Sequence, residues 1–150
     1  MRHWKIISAP PVVMLSYILL TWLVADVLSF SSTVFTTLGW VVFFAGIAVE
    51  VWAVKHFRDA RTTINPLKVR DTSSLVTDGP FQYSRNPMYV GQAMLMLAAT
   101  LGFGTLLGFA FMGLFVLYID RAQIAREEQA MKEIFGEDFD DYAGRVRRWL

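Results

Sequence analysis

Apolar positions along this chain gather in long blocks instead of narrow stripes. Residues 10–30 read PPVVMLSYILLTWLVADVLSF and residues 34–54 read VFTTLGWVVFFAGIAVEVWAV, with Asp26 and Glu50 as their only charges. A helix needs about 20 apolar residues to cross a bilayer, so each block predicts one span, the two joined by a short Ser/Thr turn. The third block, 88–118, is long for one span and short for two. GFG at 102–104, with Gly108 and Gly113 beyond it, offers a place to turn. The last apolar helix then continues into the polar run YIDRAQIAREEQAMKEIF.

Charge placement decides between three spans and four. All 14 Lys and Arg fall within residues 2–5, 55–85 and 121–148, and the connections at 30–33 and 102–104 carry none. Basic residues collect on the cytoplasmic side of a membrane. Only four spans put every basic segment on that side. The expected fold is therefore all-α and polytopic, with four transmembrane helices, a cytoplasmic C-terminal helical extension and both termini cytoplasmic. A bacterial inner membrane is the expected location. The basic start, Arg2 and Lys5, resembles a signal peptide, but the apolar stretch is too long and no small-residue cleavage site follows. An uncleaved anchor is expected.

Composition agrees: 55% of the 150 residues are hydrophobic, above the roughly 45–50% of an ordinary soluble domain. The absence of cysteine excludes disulfides, thiolate metal sites and cysteine nucleophiles. Two histidines, His3 and His56, do not make a histidine metal site, and no metal is expected. A net charge of +1 points to no nucleic-acid partner. The chain reads as one domain, 1–150, made of an N-terminal hairpin (8–56) and a polar-punctuated half (57–150) in which any chemistry belongs.

Within that half, GPFQYSRNPMYVG at 79–91 precedes the third block. Asp78-Gly79-Pro80 reads as a turn, since glycine tolerates positive φ and proline fixes φ near −65°. Asn86-Pro87 reads as an N-cap followed by proline at the first helical position. Capping accounts for Asn86 and Pro87 but not for Tyr83, Arg85, Tyr89 or the small Gly91. A helix N-terminus beside two aromatic rings suits a polar cofactor at the membrane surface.

Further on, Ile124, Met131 and Ile134/Phe135 form an apolar stripe at helical spacing. Glu127 and Glu128 flank its centre, so either both are solvated surface acids or at least one faces protein and needs a cationic or donor partner. Gly136 should end this helix, and EDFDDYAGRVRRW should fold back along the interface with its arginines and Trp149 as anchors. Glu50 lies inside the second span. An intramembrane acid is a functional candidate, with snorkelling to the nearby interface as the competing reading.

LVTDGPFQYSRNPMYVG followed by EEQAMKEIFGEDFDDYAGRVRRW resembles the integral-membrane methyltransferases of the isoprenylcysteine carboxyl methyltransferase and phospholipid methyltransferase group. The likeness covers about 57–149, with the motifs in order. It implies S-adenosylmethionine as cofactor, held on the cytoplasmic side by Leu75, Val76, Gly79, Tyr83, Asn86, Tyr89 and Glu128. Catalytic candidates are Glu127, Glu50 and Arg85, an amine acceptor needing a base where a carboxylate or thiolate does not. Asn86 stands where the isoprenylcysteine branch commonly has histidine, Met131 replaces a usual leucine, and Arg61 stands where relatives have a small residue. The implied reaction is methyl transfer to a membrane-embedded or amphipathic acceptor: an isoprenylcysteine-like carboxylate, a phospholipid amine or a small thiol. The alternatives are a membrane reductase of sterol-reductase type using NADPH, and an inactive membrane scaffold.

Overall fold

A computed structural model describes residues 9–30, 32–61 and 72–150. Arg2, His3, Lys5 and the residues 62–71 lie outside the described residues. The described chain is all-helical apart from one isolated bridge pair, Ser29 with Thr105. In order, α1 is Pro10–Leu23, α2 is Thr33–Asp59, α3 is Pro87–Phe103 and α4 is Leu107–Tyr118. A π-helical turn, Ile119–Ile124, joins α4 without a break to α5, Ala125–Phe135, and α6 is Glu137–Arg145. Among the described residues, two helical rods are long and apolar enough to cross a membrane: α2, and the continuous rod Leu107–Phe135. The helices α1 and α3 are apolar but shorter.

The third block divides where its glycines predicted. Gly104 ends α3 in the left-handed conformation at φ 66°, and a Cβ there would collide with the Phe30 carbonyl. This close approach docks two connections on each other. Phe30 N–H donates to Gly104 O at 2.7 Å and Leu106 N–H to Leu28 O at 3.2 Å, while the Thr105 hydroxyl donates to Val27 O at 2.7 Å. The two turns that carry no basic residue thus share one end of the bundle. The first predicted span is realised differently: the helix stops at Leu23 and residues 24–28 turn, because their backbone is needed to meet the 104–106 turn. The second span runs further than predicted, to Asp59.

Small residues set the central packing. On α2, Gly39, Gly46 and Ala53 are the buried positions, a seven-residue repeat that keeps one seam against α3. A Cβ at Gly39 would lie 3.1 Å from Ala98 O, and one at Gly46 would lie 3.1 Å from Gly91 O. Small residues at such a seam let two backbones approach and pack closely in an apolar medium. Gly91 accepts Glu50 in the same way, the acid's Cγ lying where a Cβ would go. Up to Trp52 the outward surface of α2 is largely apolar: Phe35, Leu38, Trp40, Val41, Phe44, Val51 and Trp52 are all exposed. So large an apolar face suits lipid and not water.

Two clusters complete the core. Met14 of α1, Tyr89, Leu95 and Met96 of α3, and Phe115, Ile119 and Ile124 of the long rod form the first. Ala53, Val76, Phe81, Phe139 and Tyr142 form the second, at the end of the bundle opposite the docked turns. A cavity is lined by Tyr89 of the first and by Val76, Phe81, Phe139 and Tyr142 of the second.

Candidate functional site

The loop before α3 is shaped residue by residue. Gly79 takes φ +56°, opening the 3-10 turn Gly79–Gln82, and the His56 ring packs where its side chain would be. Pro80 follows at the position where a fixed φ suits the turn. Phe81 is thereby buried, edge-on to Phe57 with ring centroids 4.9 Å apart. Its carbonyl accepts the Tyr142 hydroxyl at 2.8 Å. Burial raises the Tyr142 phenol above its ordinary pKa, so it stays protonated and keeps α6 on the loop.

Arg85 then ties three segments together. Its Nη2 pairs with Glu128 Oε1 at 2.6 Å, and Nε donates to the same oxygen at 3.2 Å. Its Nη1 donates to Ala143 O at 3.0 Å and Val146 O at 2.6 Å. A guanidinium has five N–H donors, so nearly all of those of Arg85 are committed to protein. Arg148 meets Glu128 from the other side, pairing with Oε2, and reaches Asp120 Oδ1 at 3.2 Å. Trp149 Nε1–H donates to Asp120 at 3.0 Å. The hydrogen bond to Glu128, supported by Asp120, raises Arg148 above its usual pKa and keeps it charged.

The backbone of this tail is engaged too. Arg85 N–H donates to Arg147 O at 2.9 Å, and Asn86 Nδ2 donates to Arg148 O at 3.0 Å. Asn86 therefore occupies the N-cap position of α3, with Pro87 first in the helix, but its side chain does not cap. The predicted cap is corrected: the Asn86 amide N–H donates to the tail carbonyl, and its oxygen accepts from no N–H of the helix start. The tail also holds acids of the long rod: Arg148 pairs with Glu128 and Asp120, and Trp149 donates to Asp120.

Glu127 faces a different set. Tyr89 OH donates to Glu127 Oε1 at 2.7 Å and Gln123 Nε2 donates to the same oxygen at 2.6 Å. The π turn makes this possible. Ile119 and Ile124 are five residues apart, yet both are fully buried in one core. The wider turn shifts the register, so the stripe of Ile124, Met131 and Phe135 faces inward and carries both glutamates with it. Ile134, by contrast, is exposed. Such π turns recur at functional sites.

The cavity lined from both clusters has a volume of about 360 Å³ and is lined mainly by apolar groups, a size within the roughly 300–1,000 Å³ of small-molecule pockets. Of the residues singled out from sequence, Leu75, Val76, Arg85, Asn86, Tyr89, Glu127 and Glu128 line it. Three do not. Gly79 shapes the loop from outside, Tyr83 is 67% exposed with its ring 6.5 Å from Trp52, and Glu50 is packed over Gly91 on the α2–α3 seam. Phe57, Phe81, Met88, Gln92, Phe139 and Tyr142 also line the cavity. Phe139 and Tyr142 share an apolar face of α6 at i, i+3 spacing, a signal the sequence did contain. The inward turn of Gln92 on an apolar helix had no such signal.

The sequence model of the phospholipid methyltransferase family matches residues 34–138. An uncharacterized protein of Haemophilus influenzae is 40% identical over 63 residues, covering 42% of this chain and all of that protein. No solved structure matches significantly.

Proposed function

Because the chain belongs to the phospholipid methyltransferase family, we propose that it transfers a methyl group from S-adenosylmethionine to an amphipathic acceptor at a membrane surface. The cavity carries this reading. It joins two carboxylates on consecutive positions of one helix, Glu127 and Glu128, to an aromatic, largely apolar wall at one end of a lipid-suited bundle.

The residues present fit such a cofactor. A sulfonium, an α-ammonium and ribose hydroxyls need acceptors and aromatic faces, and Glu128, Tyr89 and Phe81 supply them beside the apolar Leu75 and Val76. Gln92 Oε1, a cavity-lining residue's buried acceptor without a partner, has room for one more donor. When bound, the cofactor supplies an electrophilic methyl on a cationic sulfur. The protein's part is then largely orientation and exclusion of water. Glu128, held by two arginines, gives a fixed negative charge at the cavity wall. Both bonds to Glu127 fall on Oε1, so Oε2 is free among the described residues to receive a proton from an amine acceptor. A carboxylate or thiolate acceptor would need no such step. Glu50 and Arg85 take no direct part in this scheme.

We read four spans. The exposed apolar belt, the docked pair of turns without basic residues and the described basic residues at the cavity end support this arrangement, with the cavity and both termini on the cytoplasmic side. The shortest span is α1, about 21 Å at 1.5 Å per residue, extended by the 24–28 turn. The phases meet at the cavity, where a water-soluble donor approaches a lipid-soluble acceptor.

Calorimetric titration of the detergent-solubilised protein with S-adenosylhomocysteine and, separately, NADPH tests the reading. Saturable binding of the first alone is expected. Binding of NADPH alone would make the protein a reductase, and binding of neither would leave a scaffold.

A further inference from the structure

Gln92 sits in the cavity wall with its amide oxygen unused. It is 4% exposed, lines the cavity, and its Oε1 is the one buried side-chain oxygen or nitrogen without a hydrogen-bond partner among the described residues. Tyr89 OH, on the same cavity wall, is engaged with Glu127. Buried polar atoms are almost always paired, and an orphan calls for an explanation. Around it are Met88, Tyr89, Leu95 and Met96, among which a leucine would satisfy the packing without leaving an orphan. A side chain that gains the fold nothing by being polar is suited to a ligand.

We propose that Gln92 is a ligand-recognition residue, its Oε1 accepting a hydrogen bond from an N–H or O–H group of the small molecule in the cavity. The helix position gives the depth: six residues beyond Asn86 places Gln92 about 9 Å further along α3 at 1.5 Å per residue. The unused Glu127 Oε2 adds a second acceptor to the cavity wall. Two acceptors favour a neutral or cationic donor-bearing group and disfavour a carboxylate. Under the proposed function, on which the identity of the ligand rests, that group belongs either to the methyl donor or to the head of the acceptor.

Gln92→Leu and Gln92→Met, made in the full chain in neutral detergent, separate recognition from folding. Without ligand both should melt at or above the wild-type temperature, because each removes a buried unpaired acceptor. Affinity should fall roughly 2- to 12-fold, the loss of one neutral hydrogen bond. A fall for S-adenosylhomocysteine assigns the donor to the methyl donor, and a fall confined to dodecylamine and dodecanol, with dodecanoate as control, assigns it to the acceptor. Wild-type affinity for all four in both variants would overturn the proposal. So would lost binding accompanied by a lowered melting temperature in both, since Gln92 would then be structural. Wild-type protein that binds no S-adenosylhomocysteine would instead overturn the proposed function.

Discussion

At the residue scale, Glu127 and Glu128 differ in everything but chemistry. Consecutive helix positions point about 100° apart, and here one carboxylate meets two guanidinium groups while the other meets a phenol and an amide. Glu128→Gln keeps shape and removes charge. It should weaken S-adenosylhomocysteine binding about 10- to 150-fold, the worth of a hydrogen bond to a charged group, and lower the melting temperature by releasing Arg85 and Arg148. Glu127→Gln should leave melting and cofactor affinity nearly unchanged while turnover with an amine acceptor falls. Titration and thermal melting of the pair decide this; equal, negligible losses would mean neither acid serves the site. Both glutamates, and Arg85 and Tyr89, could be singled out from sequence. Arg148 could not, because its partners Asp120 and Glu128 are 28 and 20 residues away.

At the scale of elements, the long rod carries its chemistry on a shifted register. The π turn brings Ile124 onto the face of Phe115 and Ile119, and the glutamates follow three and four residues later. One alanine inserted after Ala125 would rotate both carboxylates by about 100°. Helical content by circular dichroism should hold while S-adenosylhomocysteine binding disappears. Retained binding would show that the register of α5 does not position the site. The stripe from Ile124 to Phe135 was legible as periodicity, whereas the extra residue per turn was not, since an apolar run upstream accepts any register. The α2–α3 seam is a second case. Gly39, Gly46 and Ala53 sit in a block that is apolar all round, and only the facing backbone of α3 selects that side.

At the scale of the whole molecule, the prediction is sidedness. The described basic residues, Lys55 to Arg61, Arg85 and Arg121 to Arg148, and the cavity lie away from the docked turns at Ser29–Phe30 and Gly104–Leu106. Cysteine at Ser32 should react with a membrane-impermeant reagent added outside, and cysteine at Ser73 should react only after permeabilisation. The reverse pattern would invert the topology and place the cavity on the wrong face for a cytoplasmic cofactor.

The sequence by itself determined the helical blocks, their division at the glycine turn and the segment that carries the family likeness. Each of these is written in consecutive residues: apolar runs long enough for lipid, a glycine needed at positive φ, and a motif read in order. Tertiary structure alone decided which polar groups meet. The pairing of Glu128 with Arg148, the release of Asn86 from its cap, the burial of Gln92 and the exclusion of Glu50 from the cavity depend on how α3, the long rod and the tail approach one another. In an apolar environment, a polar side chain is fixed by the partner it finds, and that partner is set by packing and not by position along the chain.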